Sequence, residues 1–344
     1  MTRPMERMGG RAAAIAGLAL LSLTAPSPTA AADAVTLRLS RGFDIAELPL
    51  AVVEHEHLIE KQAMARNLGQ VTVQWLPPSE FSVADSLSRG EADIAAAIDL
   101  AVFVGAWDER SGTSQEIRGL AALARMPYLL LARDPKIATI RDFTAKDRIA
   151  VTVVKASLPA TMLEMAAAQE WGGEHYDQLD GITVPLSDAA GAAALHAGAG
   201  NITAHFTRLP YSDEERADRA VHRVMDSFDI AGPHSVGALV TTAQFRDANP
   251  TLCAAVAAAL GEADDYIRQN RGAAAEMYVA IAKPRDLAVE ELTDMLGDPD
   301  ISFDPAPAGM QRLAAFLNQI GRIKHRPDSW QQLFFPEIYK LPGG

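Results

Sequence analysis

DSLSRGEADIA, residues 85–95, holds the most informative pattern in the chain. Leu87, Gly90, Asp93 and Ile94 read as a helix that ends on a glycine and gives way at once to a short strand. Leu195, Gly198, Asn201 and Ile202 repeat the pattern 108 residues later. Upstream, Leu48-Pro49 and Leu158-Pro159, 110 residues apart, each follow a strand and open a helix. Proline suits a first helical turn because its missing N–H has no partner there. Two motifs in the same order at nearly one offset point to two similar lobes.

Outward from these motifs the periodicity alternates. Val35–Leu39, Val71–Trp75, Ala92–Ile98, Arg148–Val154 and Asn201–Phe206 read as strands, and Leu48–Arg66, Ser82–Ser88, Pro159–Glu170 and Ala189–His196 as helices. Such alternation predicts an α/β architecture with mostly parallel sheets. The apolar run Tyr128–Ala132 and the charge-poor stretch Ile230–Thr241 are expected to cross between lobes as extended strands. The division that follows is a signal peptide over 1–32, the first part of lobe one over 33–128 and a hinge over 129–134. Lobe two spans 135–228, a returning hinge 229–241, and the C-terminal helices and tail of lobe one 242–344. The helical part opens near Thr251–Gln269, and Trp330–Tyr339 reads as an aromatic clasp on the surface.

Composition bounds the function. With 344 residues, 49% apolar and 22% charged, the chain is globular and long enough for two domains. It has 31 Lys and Arg against 44 Asp and Glu, a net charge of −13, which argues against a nucleic-acid partner. Cys253 is the single cysteine, so no internal disulfide forms. Within LCAAVAAAL it reads as a small buried hydrophobe. Arg3, Arg7 and Arg11, the apolar run Ala12–Leu23 and Ala30-Ala31-Ala32 form a secretory signal, cleaved near residues 30–34. No cysteine follows the apolar run, so lipid attachment there is excluded, and a soluble periplasmic protein is expected.

Ligands of open α/β sheets sit beyond the carboxyl ends of the strands, near helix N-termini. Two facing lobes would bring Ser40–Asp44, Ile98–Leu100, Lys155–Leu158 and His205–Thr207 to one cleft. The candidate ligand-binding residues are therefore Arg41, Phe43, Asp44, Asp99, Lys155, Ser157, His205, Phe206 and Thr207. Arg41, Lys155, Ser157 and the helix N-termini offer positive potential and donors to an anion. Ser157 reads equally as a helix N-cap, and His205, Phe206 and Thr207 as core fillers by strand alternation. Asp99, which matches Thr207 at the 108-residue offset, either caps its own helix or meets a cationic group. Asp44, Glu47 and Asp99 on the same rim disfavour a bare inorganic anion, so a small organic anion with a polar or cationic end is expected. His55 and His57 in EHEH project about 200° apart on a helix and read as a solvated face, not a metal site. GPHSVG, residues 232–237, has one residue too many for a nucleophile elbow, and GAG, residues 198–200, lacks the third glycine of a dinucleotide loop. No catalytic residue, metal or cofactor is expected.

Six segments carry a family resemblance: LPLAVVEHEHLIEK (48–61), DSLSRGEADIA (85–95), TIRDFTAKDRIAV (139–151), NITAHF (201–206), TTAQFRDANP (241–250) and SWQQLFFPEIY (329–339). With them nearly the whole mature chain resembles the periplasmic substrate-binding proteins of nitrate/sulfonate/taurine-type ABC importers. The resemblance implies the type II periplasmic-binding-protein fold, two α/β lobes joined by hinge strands with a helical C-terminal region. It also implies a monomer that captures a sulfonate- or taurine-like solute between its lobes. The implied partner is a transmembrane ABC permease with its cytoplasmic ATPase. Where one branch of the family carries a Gly/Pro-rich segment after the third strand, this chain has AAAIDL, residues 95–100. Two other readings stay open: a periplasmic sensor that presents its ligand state to a membrane receptor, and a small-molecule enzyme on the same fold. The thiamine-pyrimidine synthases of that fold carry a cysteine-rich motif, and this chain has no second cysteine.

Overall fold

Short apolar segments separated by helices pair into two sheets. The computed structural model describes residues 35–344 apart from 81, 98, 199–201, 285 and 286, so the signal-peptide reading of 1–32 and the parts of the motifs at Ile98 and Asn201 lie outside the described residues. The first sheet begins with β1 (Val35–Ser40), β2 (Val71–Leu76), β3 (Ile94–Ala97) and β4 (Ile117–Ala122). The chain then leaves to build the second sheet from β5 (Leu129–Ala132), β6 (Ile149–Val151), β7 (Thr183–Pro185), β8 (Ala204–Thr207) and β9 (His222–Asp226). It returns as β10 (Ala238–Thr242), which inserts between β3 and β4.

The two sheets share one plan. Their orders are β2-β1-β3-β10-β4 and β7-β6-β8-β5-β9. In each, three parallel strands are followed by an antiparallel inserted strand, β10 in the first and β5 in the second. Gly90 and Gly198 both take the left-handed conformation, at φ of 68° and 56°, as a helix end followed by a strand requires. The helices Leu48–His55 and Leu158–Trp171 both carry proline in the first turn. Ile94 and Ala204 open their strands 110 residues apart, the same spacing as Leu48 and Leu158. The strand starts two residues later than Ile202 because the connection after Gly198 is two residues longer than that after Gly90. Thr203 holds the place of Asp93, its hydroxyl accepting the Arg148 N–H at 3.0 Å as the Asp93 carboxylate accepts the Arg38 N–H at 2.8 Å. Asp99 thus matches Leu209 across the repeat, not Thr207.

Three further expectations are corrected. Leu129–Ala132 does not cross between lobes: as β5 it lies buried between β8 and β9, and an uncharged apolar run suits a strand covered on both faces. The crossings run through 123–128 and 227–237, side by side, with Leu123 N–H donating to Gly237 O and Val236 N–H to Ala124 O, both at 2.9 Å. The expected helix Leu48–Arg66 breaks at His57, whose φ of 52° separates Leu48–His55 from Leu58–Ala65. Finally, the C-terminal aromatic segment is buried. Trp330, Phe334, Phe335 and Ile338 are at most 5% exposed.

That segment closes an open sheet edge. β4 is the last strand of its sheet, and unpaired edges invite pairing with other chains. Here Gly119 N–H donates to Leu333 O at 2.9 Å, and Phe335 N–H donates to Gly119 O at 2.8 Å. Phe334 packs edge-on to Phe103, with ring centroids 5.8 Å apart. Among the described residues, no helix is long and apolar enough to cross a membrane.

The contact at Gly119 sets a test. A Cβ there would stand 2.3 Å from the Phe334 ring. Gly119→Ala is expected to cost about 1–3 kcal/mol through overpacking. Gly105→Ala, in the helix Leu100–Arg110 with open space around the new methyl, is expected to gain about 0.5–1 kcal/mol. Urea unfolding of both variants checks the pair of signs.

Candidate functional site

A cavity of about 620 Å³ lies between the lobes. Val83, Phe103, Ile117 and Val240 give its apolar wall, all from lobe one, and Thr152, Val153, Asp188 and Arg208 reach it from lobe two. Asp44, Asp99 and Tyr128 complete the region where the lobes meet. The lining carries Asp44, Asp85, Asp99, Glu109 and Asp188 against Arg110 and Arg208, an excess of negative charge.

Two of these carboxylates reach across the cleft. Asp44 follows β1 and caps the turn Ile45–Glu47, its Oδ1 accepting the Ala46 N–H at 2.8 Å. The Glu47 carboxylate braces this loop by accepting the N–H groups of Gly42 and Asp44. Burial first, and then the Asp44 charge, push Glu47 up to about 7. Asp44 also receives both terminal nitrogens of Arg208 from the other lobe, at 2.7 and 2.5 Å. Arg208 is 3% exposed, and its Nε donates to the Tyr128 hydroxyl at 3.0 Å. Burial opposes the charge on Arg208, but Asp44 overcomes it and holds the guanidinium well above its ordinary pKa.

Asp99 is the second crossing carboxylate. It caps its own helix, Leu100–Arg110, with Oδ1 accepting the Ala101 and Val102 N–H groups at 3.0 and 3.1 Å. Its Oδ2 accepts the Leu158 N–H at 2.8 Å, at the start of the helix Leu158–Trp171 in lobe two. Farther along that helix, Glu164 accepts both terminal nitrogens of Arg322 at 3.0 and 2.9 Å. Burial pushes Glu164 up to about 7 against the pull of Arg322.

The remaining expected residues turn elsewhere. Arg41 is buried against Glu54, with the Phe43 and Trp75 rings 4.8 and 5.0 Å from its guanidinium. The Phe43 side chain is half exposed, and its carbonyl accepts the Tyr278 hydroxyl at 2.5 Å. Lys155 is exposed and stands 3.6 Å from Asp180. Ser157 is no side-chain cap: its hydroxyl turns back to donate to Val153 O at 2.7 Å, while the next N–H, that of Leu158, goes to Asp99. Phe206 is core, edge-on to Tyr128. Thr207 is fully buried beside it.

His205 is buried behind the cavity wall. Its Nδ1 lies 2.5 Å from Glu215 Oε1, and its Nε2 stands 3.8 Å from Asp188 Oδ1. Burial lowers its pKa, but the two acids more than compensate and leave it raised. Gly191 makes room for the ring, since a Cβ there would stand 2.5 Å from Nε2.

Of the cavity lining the sequence reading named only Asp44 and Asp99; it missed the apolar wall and, among the polar groups where the lobes meet, Arg208, Tyr128 and Asp188. Arg208 had a legible signal, a cation one position beyond the end of a buried strand in FTRLP, residues 206–210. His55 and His57 are exposed beside Glu56 and Glu60. Among the described residues, no group of three or more His, Cys, Asp or Glu is placed to hold a metal ion.

The acids give a pH signature with a defined sign. Burial pushes Asp99 up to about 6, outweighing its three N–H donors and the nearby Arg208 charge. A carboxyl whose folded pKa is raised binds more protons in the folded than in the unfolded state. Its contribution is therefore present at low pH and lost as pH rises from about 4 to 6. Asp99→Asn should flatten that part of the stability profile by about 1–3 kcal/mol. Urea midpoints at half-unit steps of pH check it, and parallel profiles for the two proteins would contradict the assignment.

No family model matches the chain, and no curated protein matches it. Solved structures do. The periplasmic aliphatic sulphonate binding protein from Escherichia coli is 18% identical, with a TM-score of 0.64 over 88% of this chain and 99% of that one. The periplasmic nitrate-binding protein from Synechocystis is 15% identical, with a TM-score of 0.64 over 87% and 84%. A Candida albicans protein described as having the generic periplasmic binding protein fold is 14% identical, with a TM-score of 0.61 over 86% and 92%. The shared strand order of the two sheets, the paired crossings and these likenesses agree: the chain has the two-lobed α/β fold of the periplasmic binding proteins.

Proposed function

We propose that the chain is the solute-binding component of an ABC importer. It is exported to the periplasm, closes its lobes around a small organic solute and delivers that solute to a membrane permease. The observation that carries this reading is the cavity of about 620 Å³, walled by residues of both lobes and of a size usual for small-molecule sites. A site divided between two bodies gains its full contacts only when both approach. The paired crossings at 123–128 and 227–237 are the natural place for that motion. Likeness to sulphonate- and nitrate-binding proteins supports transport over catalysis.

The expectation of a sulfonate- or taurine-like anion rests on Arg41, Lys155, Ser157 and the helix N-termini; the three side chains are engaged outside the cavity, and the N-termini meet at Asp99. The lining favours a solute with an apolar body against Val83, Phe103 and Ile117 and a polar head near Asp99 and Arg208.

A thermal-shift screen of the mature protein tests the reading, with alkanesulfonates, alkylamines, neutral amides and nitrate as solutes. At a hundredfold excess over Kd, a bound solute adds about 2.7 kcal/mol to stability, a shift of several degrees. At least one organic solute is expected to give it, and nitrate none. A screen in which nitrate alone shifts the midpoint, or nothing does, refutes the reading.

A further inference from the structure

Two features of the cleft are suited to an anion, and the chain's own carboxylates occupy both. The first is the meeting point of two helix N-termini, one from each lobe. The helices Leu100–Arg110 and Leu158–Trp171 direct the N–H groups of Ala101, Val102 and Leu158 at a single point. Free N–H groups and aligned peptide dipoles make such a point attractive to negative charge. Asp99 fills it. The second is the Arg208 guanidinium, a planar fork suited to a bidentate carboxylate or sulfonate. Asp44 fills that one, at 2.7 and 2.5 Å.

The consequence is one of charge balance. An anionic head group entering the cavity would have to displace a carboxylate that already accepts three hydrogen bonds, two from its own helix and one from across the cleft. It would also meet the other acids of the lining, Asp85, Glu109 and Asp188. An uncharged or cationic head leaves both internal pairs in place and meets the surplus of acids on the lining. This argument rests on the solute-binding reading above and adds the chemical class of the solute.

We propose that Asp99 is the specificity-determining residue of the cleft: its carboxylate stands as the chain's own anion where two helix N-termini converge, so that anionic head groups are turned away and uncharged or cationic ones admitted. Asp99 stands two residues beyond the end of β3, close enough to cap one helix while reaching the other.

Asp99→Ser isolates the effect. Serine still caps its own helix but is too short to reach Leu158, and it carries no charge. Titration calorimetry with butane-1-sulfonate and with butylamine compares the variant with the wild type. The variant is expected to bind the sulfonate at least tenfold more tightly than the wild type does and the amine no more tightly. Absence of that gain, whether both proteins bind the sulfonate or neither does, overturns the proposal. If the variant fails to fold, the wild type alone decides: a tenfold preference for butylamine over butane-1-sulfonate upholds the proposal, and any smaller or opposite preference overturns it. A wild type that binds the sulfonate tightly would remove this inference while leaving the solute-binding reading intact.

Discussion

The carboxylate of Asp99 is held by N–H groups from two helices that belong to different lobes, and the arrangement of the cleft follows from that constraint. It fixes the start of Leu158–Trp171 against the start of Leu100–Arg110. The contact between Asp44 and Arg208 then closes one flank, and that between Glu164 and Arg322 the other. Buried ionic groups pay heavily for lost hydration and recover it only from well-placed partners. Asp44, Asp99 and Glu164 each take a partner from across the cleft, and Asp44 and Asp99 cap turns of their own lobe as well. Opening therefore exchanges protein contacts for water at all three places together, and the net cost is a difference between large terms.

Tyr128 couples this charge system to the backbone that joins the lobes. Its N–H donates to the Ser227 hydroxyl at 2.8 Å, and its carbonyl accepts the Ser227 N–H at 2.9 Å, binding one crossing segment to the other. Its hydroxyl accepts from Arg208. His234, on the second crossing, lies 2.8 Å from the same Ser227 hydroxyl, and burial pushes it down to about 4, so it is neutral at physiological pH. A rotation about the crossings would thus be felt at Arg208 through one rigid aromatic side chain.

The fold was legible because its signals are local. A glycine that must take positive φ at 90 and at 198, and a proline that opens a helix at 49 and at 159, report backbone geometry directly. Their repetition revealed two lobes before any contact was known. The site was legible only in part. Asp44 and Asp99 sit at caps, where spacing alone betrays them. Arg41, Lys155 and Ser157 carry suitable chemistry at suitable strand ends, but their direction depends on Glu54, Asp180 and the Val153 carbonyl, and pairwise contacts of that kind leave no periodic trace. Arg208 escaped because the reading of its strand stopped one residue short. The apolar run at β5 was mistaken for a crossing because uncharged segments look alike whether a sheet or a neighbouring strand covers them.

The order of the strands along the chain has a consequence for synthesis. All five strands of the second sheet lie between residues 129 and 226, so that lobe can be completed from one unbroken stretch of chain. The first sheet cannot. Its strand β10 arrives only after the whole of the other lobe, and the segment that seals β4 comes within the last fifteen residues. Until then β3 and β4 have no strand between them, and the apolar faces of four strands and their helices wait for partners. The amino-terminal lobe, the first to be made, is therefore the last to be finished, and it is the part of the nascent chain that most needs shielding from aggregation.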